Sequence, residues 1–99
     1  MTEMLVVHVR VQGRVQGVGF RDWTARQART RALRGFVRNR ADGSVEAVFS
    51  GDADDVSALA EACGRGPLSA RVDRVDVRPA TDADCALFDA ADFAVLPTA

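Results

Sequence analysis

The amino-acid sequence predicts an α+β chain whose elements run βαββαβ and close on a short strand. Three observations carry that reading. Leu5, Val7, Val9 and Val11 alternate at period two, which is strand patterning. The apolar spacing then changes to that of a helix in Phe20, Trp23, Thr24, Ala28 and Ala32, residues near one side of a 3.6-residue wheel. Finally, Ala41-Asp42-Gly43 separates two short runs, 36–39 and 44–50, that read as the arms of a hairpin.

The remaining elements follow in order. In the first hairpin arm, Val37 and Asn39 share a side while Phe36, Arg38 and Arg40 share the other. Arginines prefer water, so the Val37 side is predicted to face the core. On the returning arm Val45, Ala47 and Phe49 then point toward the helices. Beyond Gly51, Asp52 is a plausible N-cap, and Asp54 and Asp55 suit the positive first turn of a helix. Val56, Leu59, Ala60 and Cys63 lie on its apolar face, and Gly64, Gly66 and Pro67 end it. Val75 and Val77 alternate, but Val72 has the opposite parity, so that strand starts near Asp73 or carries a bulge. Phe93 and Val95 form the last strand, at an edge, before Pro97.

A chain of 99 residues is expected to form one domain over residues 1–99. At this size roughly 60–70% of the unfolded surface is buried, enough for a core without staples. No apolar run approaches the ~20 residues a membrane helix needs, and no signal-peptide pattern opens the chain. A soluble cytoplasmic protein without membrane attachment is therefore expected. Cys63 and Cys85, 22 positions apart, have neither metal-ligand nor redox spacing and read as two separate thiols. His8, between Val7 and Val9, reads as an exposed or satisfied sheet residue. Residues 1–40 hold nine arginines against Glu3 and Asp22, a net +7, whereas residues 41–99 hold four against twelve acids, a net −8. A basic half steers anionic ligands, although Arg26, Arg29 and Arg31 read as the solvated face of the first helix.

The stretch GRVQGVGFR, Gly13 to Arg21, lies between the first strand and the first helix. Its glycines let successive N–H groups converge beside the positive end of a helix dipole. Arg21 adds a planar fork suited to phosphate oxygens. No Gly-Lys-Ser/Thr follows, and the glycine spacing is not that of a dinucleotide fingerprint. The segment is predicted to be a phosphate site of another kind. Asn39, at the end of the core-facing side of its strand, reads on its own as a turn residue.

Together, GRVQGVGFR and GFVRN followed by DGSVE resemble the two signatures of the acylphosphatase family. Their order, and the 18 positions from Arg21 to Asn39, suit that family along essentially the whole chain. The resemblance implies a ferredoxin-like α/β sandwich with two helices on one face of an antiparallel sheet. It also implies hydrolysis of small acyl phosphates to a carboxylate and inorganic phosphate, without metal or other cofactor. Arg21 and Asn39 match the family's catalytic arginine and asparagine. The implied roles are phosphate binding by Arg21, orientation of the attacking water by Asn39, and a phosphate cradle built from the amides of Val15, Gln16, Gly17, Val18, Gly19 and Phe20. Ala32 stands where relatives commonly carry glycine, so a left-handed position there would be strained. Phe36 stands where tryptophan is common. Asp22 is expected to face away from the loop, since adjacent helical side chains diverge by about 100°.

Two other functions stay open at this point. A non-catalytic acyl or carbamoyl phosphate-binding module would share the loop, but the pairing of Arg21 with Asn39 argues against it. A nucleic-acid-binding sheet would need exposed aromatics, and this chain has no tyrosine and lacks the Gly-Phe-Gly-Phe type of stacking strand. The chain is expected to act on its small-molecule substrate as a monomer, without nucleic acid.

Overall fold

The computed structural model describes residues 3–89 and 91–99. Its elements are β1 (Met4–Arg14), α1 (Phe20–Thr30), β2 (Arg34–Asn39), β3 (Val45–Asp52), α2 (Ala53–Ala62), β4 (Arg71–Pro79), α3 (Asp82–Cys85) and β5 (Phe93–Val95). Among the described residues the strands form one sheet in the order β4-β1-β3-β2-β5. The β1·β3, β1·β4 and β2·β3 pairs are antiparallel, but β5 runs parallel to β2, with Gly35 opposite Phe93. The sheet is therefore mixed rather than purely antiparallel. A parallel partner requires a long connection, and between β2 and β5 the chain passes through β3, α2, β4 and α3.

Both long helices pack on one face, as predicted. Val7, Val9 and Val11 of β1 meet Val45, Ala47 and Phe49 of β3, Val37 of β2, Phe20 and Ala28 of α1, and Val56 and Leu59 of α2 in one core. Phe49 and Phe93 stack at 6.0 Å between ring centres. Each such side chain fully withdrawn from water contributes on the order of 1.5–3 kcal/mol before entropy is counted. Leu5 departs from the predicted stripe. It lies opposite Gly51 near the end of the sheet and is partly exposed.

The irregular parity of β4 is a bulge. Gln12 pairs with Arg74 and Gly13 with Val72, leaving Asp73 as the extra residue. Gly13 has φ 128°, and a Cβ there would lie 2.2 Å from the Arg71 carbonyl oxygen. Only glycine fits where the strands approach so closely.

Helix ends follow their local chemistry. The Asp52 carboxylate accepts from the N–H groups of Asp54 at 2.9 Å and Asp55 at 3.1 Å, capping α2 as predicted. At the end of α1, Ala32 N–H donates to Arg29 O and Leu33 N–H to Ala28 O, with Ala32 at φ 56°. This is a Schellman ending with alanine in the position that favours glycine.

The opposite sheet face is not open. Phe36 is fully buried, its ring 6.4 Å from Phe88 and covered by the Arg38 guanidinium at 5.3 Å. The Phe36–Arg38–Arg40 side was predicted to face water. The chain after β4 crosses it instead, anchored by α3. Thr81 and Asp84 cap α3 reciprocally, and Asp84 also accepts from Arg78 at 2.8 Å. Cys85 ends this helix. The two cysteines are free, Cys63 buried and Cys85 exposed, and burial pushes the Cys63 thiol up to about 12. Among the described residues no helix is long and apolar enough to cross a membrane.

Candidate phosphate site

β1 runs straight into the glycine-rich loop, and the loop into α1. Val15 is buried in the core and fixes where the loop leaves the sheet. Gly17 and Gly19 then turn the chain with φ 74° and 81°. A Cβ on either would meet nothing within 4 Å. Left-handed backbone, and not lack of room, is what requires glycine at both positions. Phe20 closes the loop as the first residue of α1, buried edge-on against Trp23 at 5.4 Å.

The loop leaves its donors free. Gly19 at the helix N-cap offers no side chain, and the first N–H to find a backbone carbonyl is that of Trp23, bonded to Gly19 O at 3.0 Å. Among the described residues, none of the N–H groups from Gln16 to Asp22 has an intramolecular acceptor. Seven successive donors at a helix start form a concentration of positive partial charge. Arg21, half-buried within it, makes no ion pair among the described residues.

Asn39, at the end of β2, completes the enclosure. It lines a cavity of about 320 Å³ together with Val15, Gly17, Gly19, Phe20, Arg21, Asp22 and Val95. Asn39 is 9% exposed, and its Oδ1 is buried without a hydrogen-bond partner. A buried amide oxygen left unpaired costs about 1–3 kcal/mol. The backbone around it is well tied. Asn39 O accepts from Ala99 N, and Arg40 N donates to Ser44 O.

The predicted loop residues divide into two groups. Val15, Gly17, Gly19 and Phe20 border the cavity with Arg21 and Asn39. Gln16 and Val18 are not among its lining residues. Val18 packs on the core. The Gln16 amide nitrogen donates to Arg40 O at 2.8 Å and Ser44 O at 2.9 Å, stapling the loop to the β2–β3 turn. That turn is held by Asp42, whose carboxylate takes the Ser44 N–H at 2.9 Å and hydroxyl at 2.6 Å. These bonds and the Arg10 guanidinium keep the Asp42 carboxyl well below the usual carboxylate range.

Two lining residues were not foreseen. Val95 arrives from β5, far away in sequence, and no local pattern marks it. Asp22 was expected to face away. Its carboxylate does lie 3.3 Å from Arg26 Nε, yet the residue also forms part of the cavity wall. Arg29 is exposed as predicted, and its guanidinium also donates to Phe93 O at 3.0 Å and so helps hold β5. His8 is a satisfied sheet residue, buried with Nε2 2.7 Å from Glu46 Oε2.

Relatives carry the same architecture. The acylphosphatase family model matches residues 7–94. An acylphosphatase of Nitrobacter hamburgensis is 47% identical over 95 residues, covering 95% of this chain and 96% of that protein. The acylphosphatase structure from Coxiella burnetii superposes with a TM-score of 0.83 at 34% identity, covering 94% of this chain and 93% of the other. That from Bacillus subtilis superposes at 0.82 with 30% identity, covering 95% and 99%. With fold and sequence agreeing over nearly its whole length, the chain belongs to the acylphosphatase family.

Proposed function

We propose that this chain is an acylphosphatase that cleaves the carboxyl–phosphate anhydride of small acyl phosphates by attack of water on phosphorus. One observation carries the reading. Arg21, without an ion pair among the described residues, and the buried Asn39 line a single cavity with Gly17, Gly19, Phe20 and Asp22, whose N–H groups have no intramolecular acceptor among the described residues. The amides and the Arg21 fork hold the phosphoryl oxygens, with two of the guanidinium N–H groups gripping two of them. Asn39 holds a water on the side opposite the leaving group, so that attack is in line.

The chemistry suits so sparse a site. The water oxygen bonds to phosphorus as the bond from phosphorus to the acyl oxygen breaks. The electron pair leaves on the carboxylate, which is stable near neutral pH and requires no proton from the enzyme. The water's protons pass to the product phosphate and to solvent. A loose phosphoryl-transfer transition state needs mainly positioning and charge stabilisation, which fixed dipoles and one guanidinium supply. An amide is too weak a base to deprotonate water beforehand, so Asn39 acts by orientation.

The proposal includes residues 1–99 working as one domain and as a cytoplasmic monomer, with no nucleic-acid partner. Its test is hydrolysis of benzoyl phosphate by the purified chain beside Arg21→Ala. Turnover that vanishes in the variant supports the assignment. A folded wild-type chain that binds inorganic phosphate but releases no benzoate would make this a phosphate-binding module instead.

A further inference from the structure

A buried carboxylate lies behind Asn39 on the sheet face turned away from α1 and α2. Glu46 of β3 pairs in register with Arg10 of β1 and Arg38 of β2 and is 6% exposed. Its Oε2 is 2.7 Å from His8 Nε2, while Oε1 accepts from Arg38 Nε at 2.6 Å and from Arg40 Nη1 at 3.4 Å. Burial pushes the Glu46 carboxyl up, but the hydrogen bonds from His8 and Arg38 and the Arg38 charge outweigh it and leave the carboxyl below its ordinary range. Glu46 therefore stays ionised at neutral pH.

Net stability is a poor reason for such a cluster, because desolvation of buried charges offsets much of their attraction. What the cluster holds is more telling. Residues 38, 39 and 40 are consecutive, and strand alternation sends Arg38 and Arg40 to one face and Asn39 to the other. Both flanking guanidiniums end on the same Glu46 oxygen. The chain on each side of Asn39 is thus tied to one point. Through His8 that point is also tied to β1, the strand that runs into the phosphate loop.

We propose that Glu46 is a positioning residue that, through Arg38 and Arg40, holds Asn39 in register with the phosphate loop. The inference rests on the role given to Asn39 above. Glu46→Ala is expected to lower kcat for benzoyl phosphate about tenfold, since small misplacements of an orienting group are costly. Competitive inhibition by inorganic phosphate should change by less than about twofold, because the loop amides and Arg21 are untouched. Glu46→Gln keeps one acceptor for Arg38 and should recover part of the loss. In an Asn39→Ala background, Glu46→Ala should cost nothing further, the non-additivity of residues acting as one unit.

Wild-type kcat in a folded Glu46→Ala variant, or an equal loss in the Asn39→Ala background, overturns the proposal. If Glu46→Ala does not fold, Arg38→Met with Arg40→Met puts the same question. A second readout is independent of turnover: the Asn39 side-chain amide NMR resonances, assigned by their loss in Asn39→Ala. Their displacement in Glu46→Ala supports the positioning role, and unchanged resonances overturn it. Should the wild-type chain fail to hydrolyse benzoyl phosphate, the functional reading fails while these resonances still decide the positioning of Asn39.

Discussion

Arg21 and Asn39 are given unlike tasks at one cavity, and their substitutions should separate. Arg21→Lys retains the charge but loses the two-pronged contact. We expect kcat/KM for benzoyl phosphate to fall by ~10²-fold or more, and a value near wild type would refute bidentate binding. At residue scale Arg21 was singled out by the glycine-rich loop it ends, whereas Asn39 read as a turn residue until both segments were set beside the acylphosphatase signatures; the structure places the two on one cavity. Gln16 was not legible. Its backbone lies in the predicted loop, but its amide turns to Arg40 O and Ser44 O, and side-chain direction in a loop has no periodicity to reveal it. Val95 was illegible for another reason. It reaches the cavity through the parallel pairing of β5 with β2, a contact set by chain reversal over a long connection.

Among the elements, the end of α1 holds a strained residue. Ala32 is the one non-glycine residue with positive φ among those described. Ala32→Gly should raise stability by about 1 kcal/mol while leaving kcat unchanged, measured by denaturant unfolding beside benzoyl phosphate turnover. No gain would mean that the added freedom of glycine in the unfolded chain offsets the relief. The core faces of β1, α1, β3 and α2 were readable because periodicity reports burial on one side directly. α3 and the covered second face were not, although Thr81 and Asp84 have the spacing of a capping box. A four-residue helix carries too little apolar patterning to stand out. Phe36 is covered in part by Phe88, on a stretch of chain whose path no local pattern discloses.

Over the whole molecule, the cover on that second face should make stability acid-sensitive. The Arg78 guanidinium beside Asp84, with the Thr81 bonds, holds its carboxyl down to about 2 from an ordinary 3.8. The folded chain then binds that proton less readily than the unfolded one, so the contribution is present above pH 3.8 and lost as pH falls toward 2. Asp84→Asn should lower Tm at neutral pH and flatten its decline between those values; an unchanged Tm-versus-pH curve would remove Asp84 from acid unfolding. The central claim concerns the site, where fixed amides and Arg21 bind phosphate while Asn39 orients water. Its most direct test is benzoyl phosphate hydrolysis in EDTA by the wild-type chain and Asn39→Ala, with inorganic phosphate titrated as competitive inhibitor of each. Full wild-type activity in EDTA, a kcat lower by ~10²-fold in the variant and unchanged phosphate inhibition are the predicted result. Activity lost in EDTA and restored by Mg²⁺, or phosphate binding weakened as much as kcat, would contradict it.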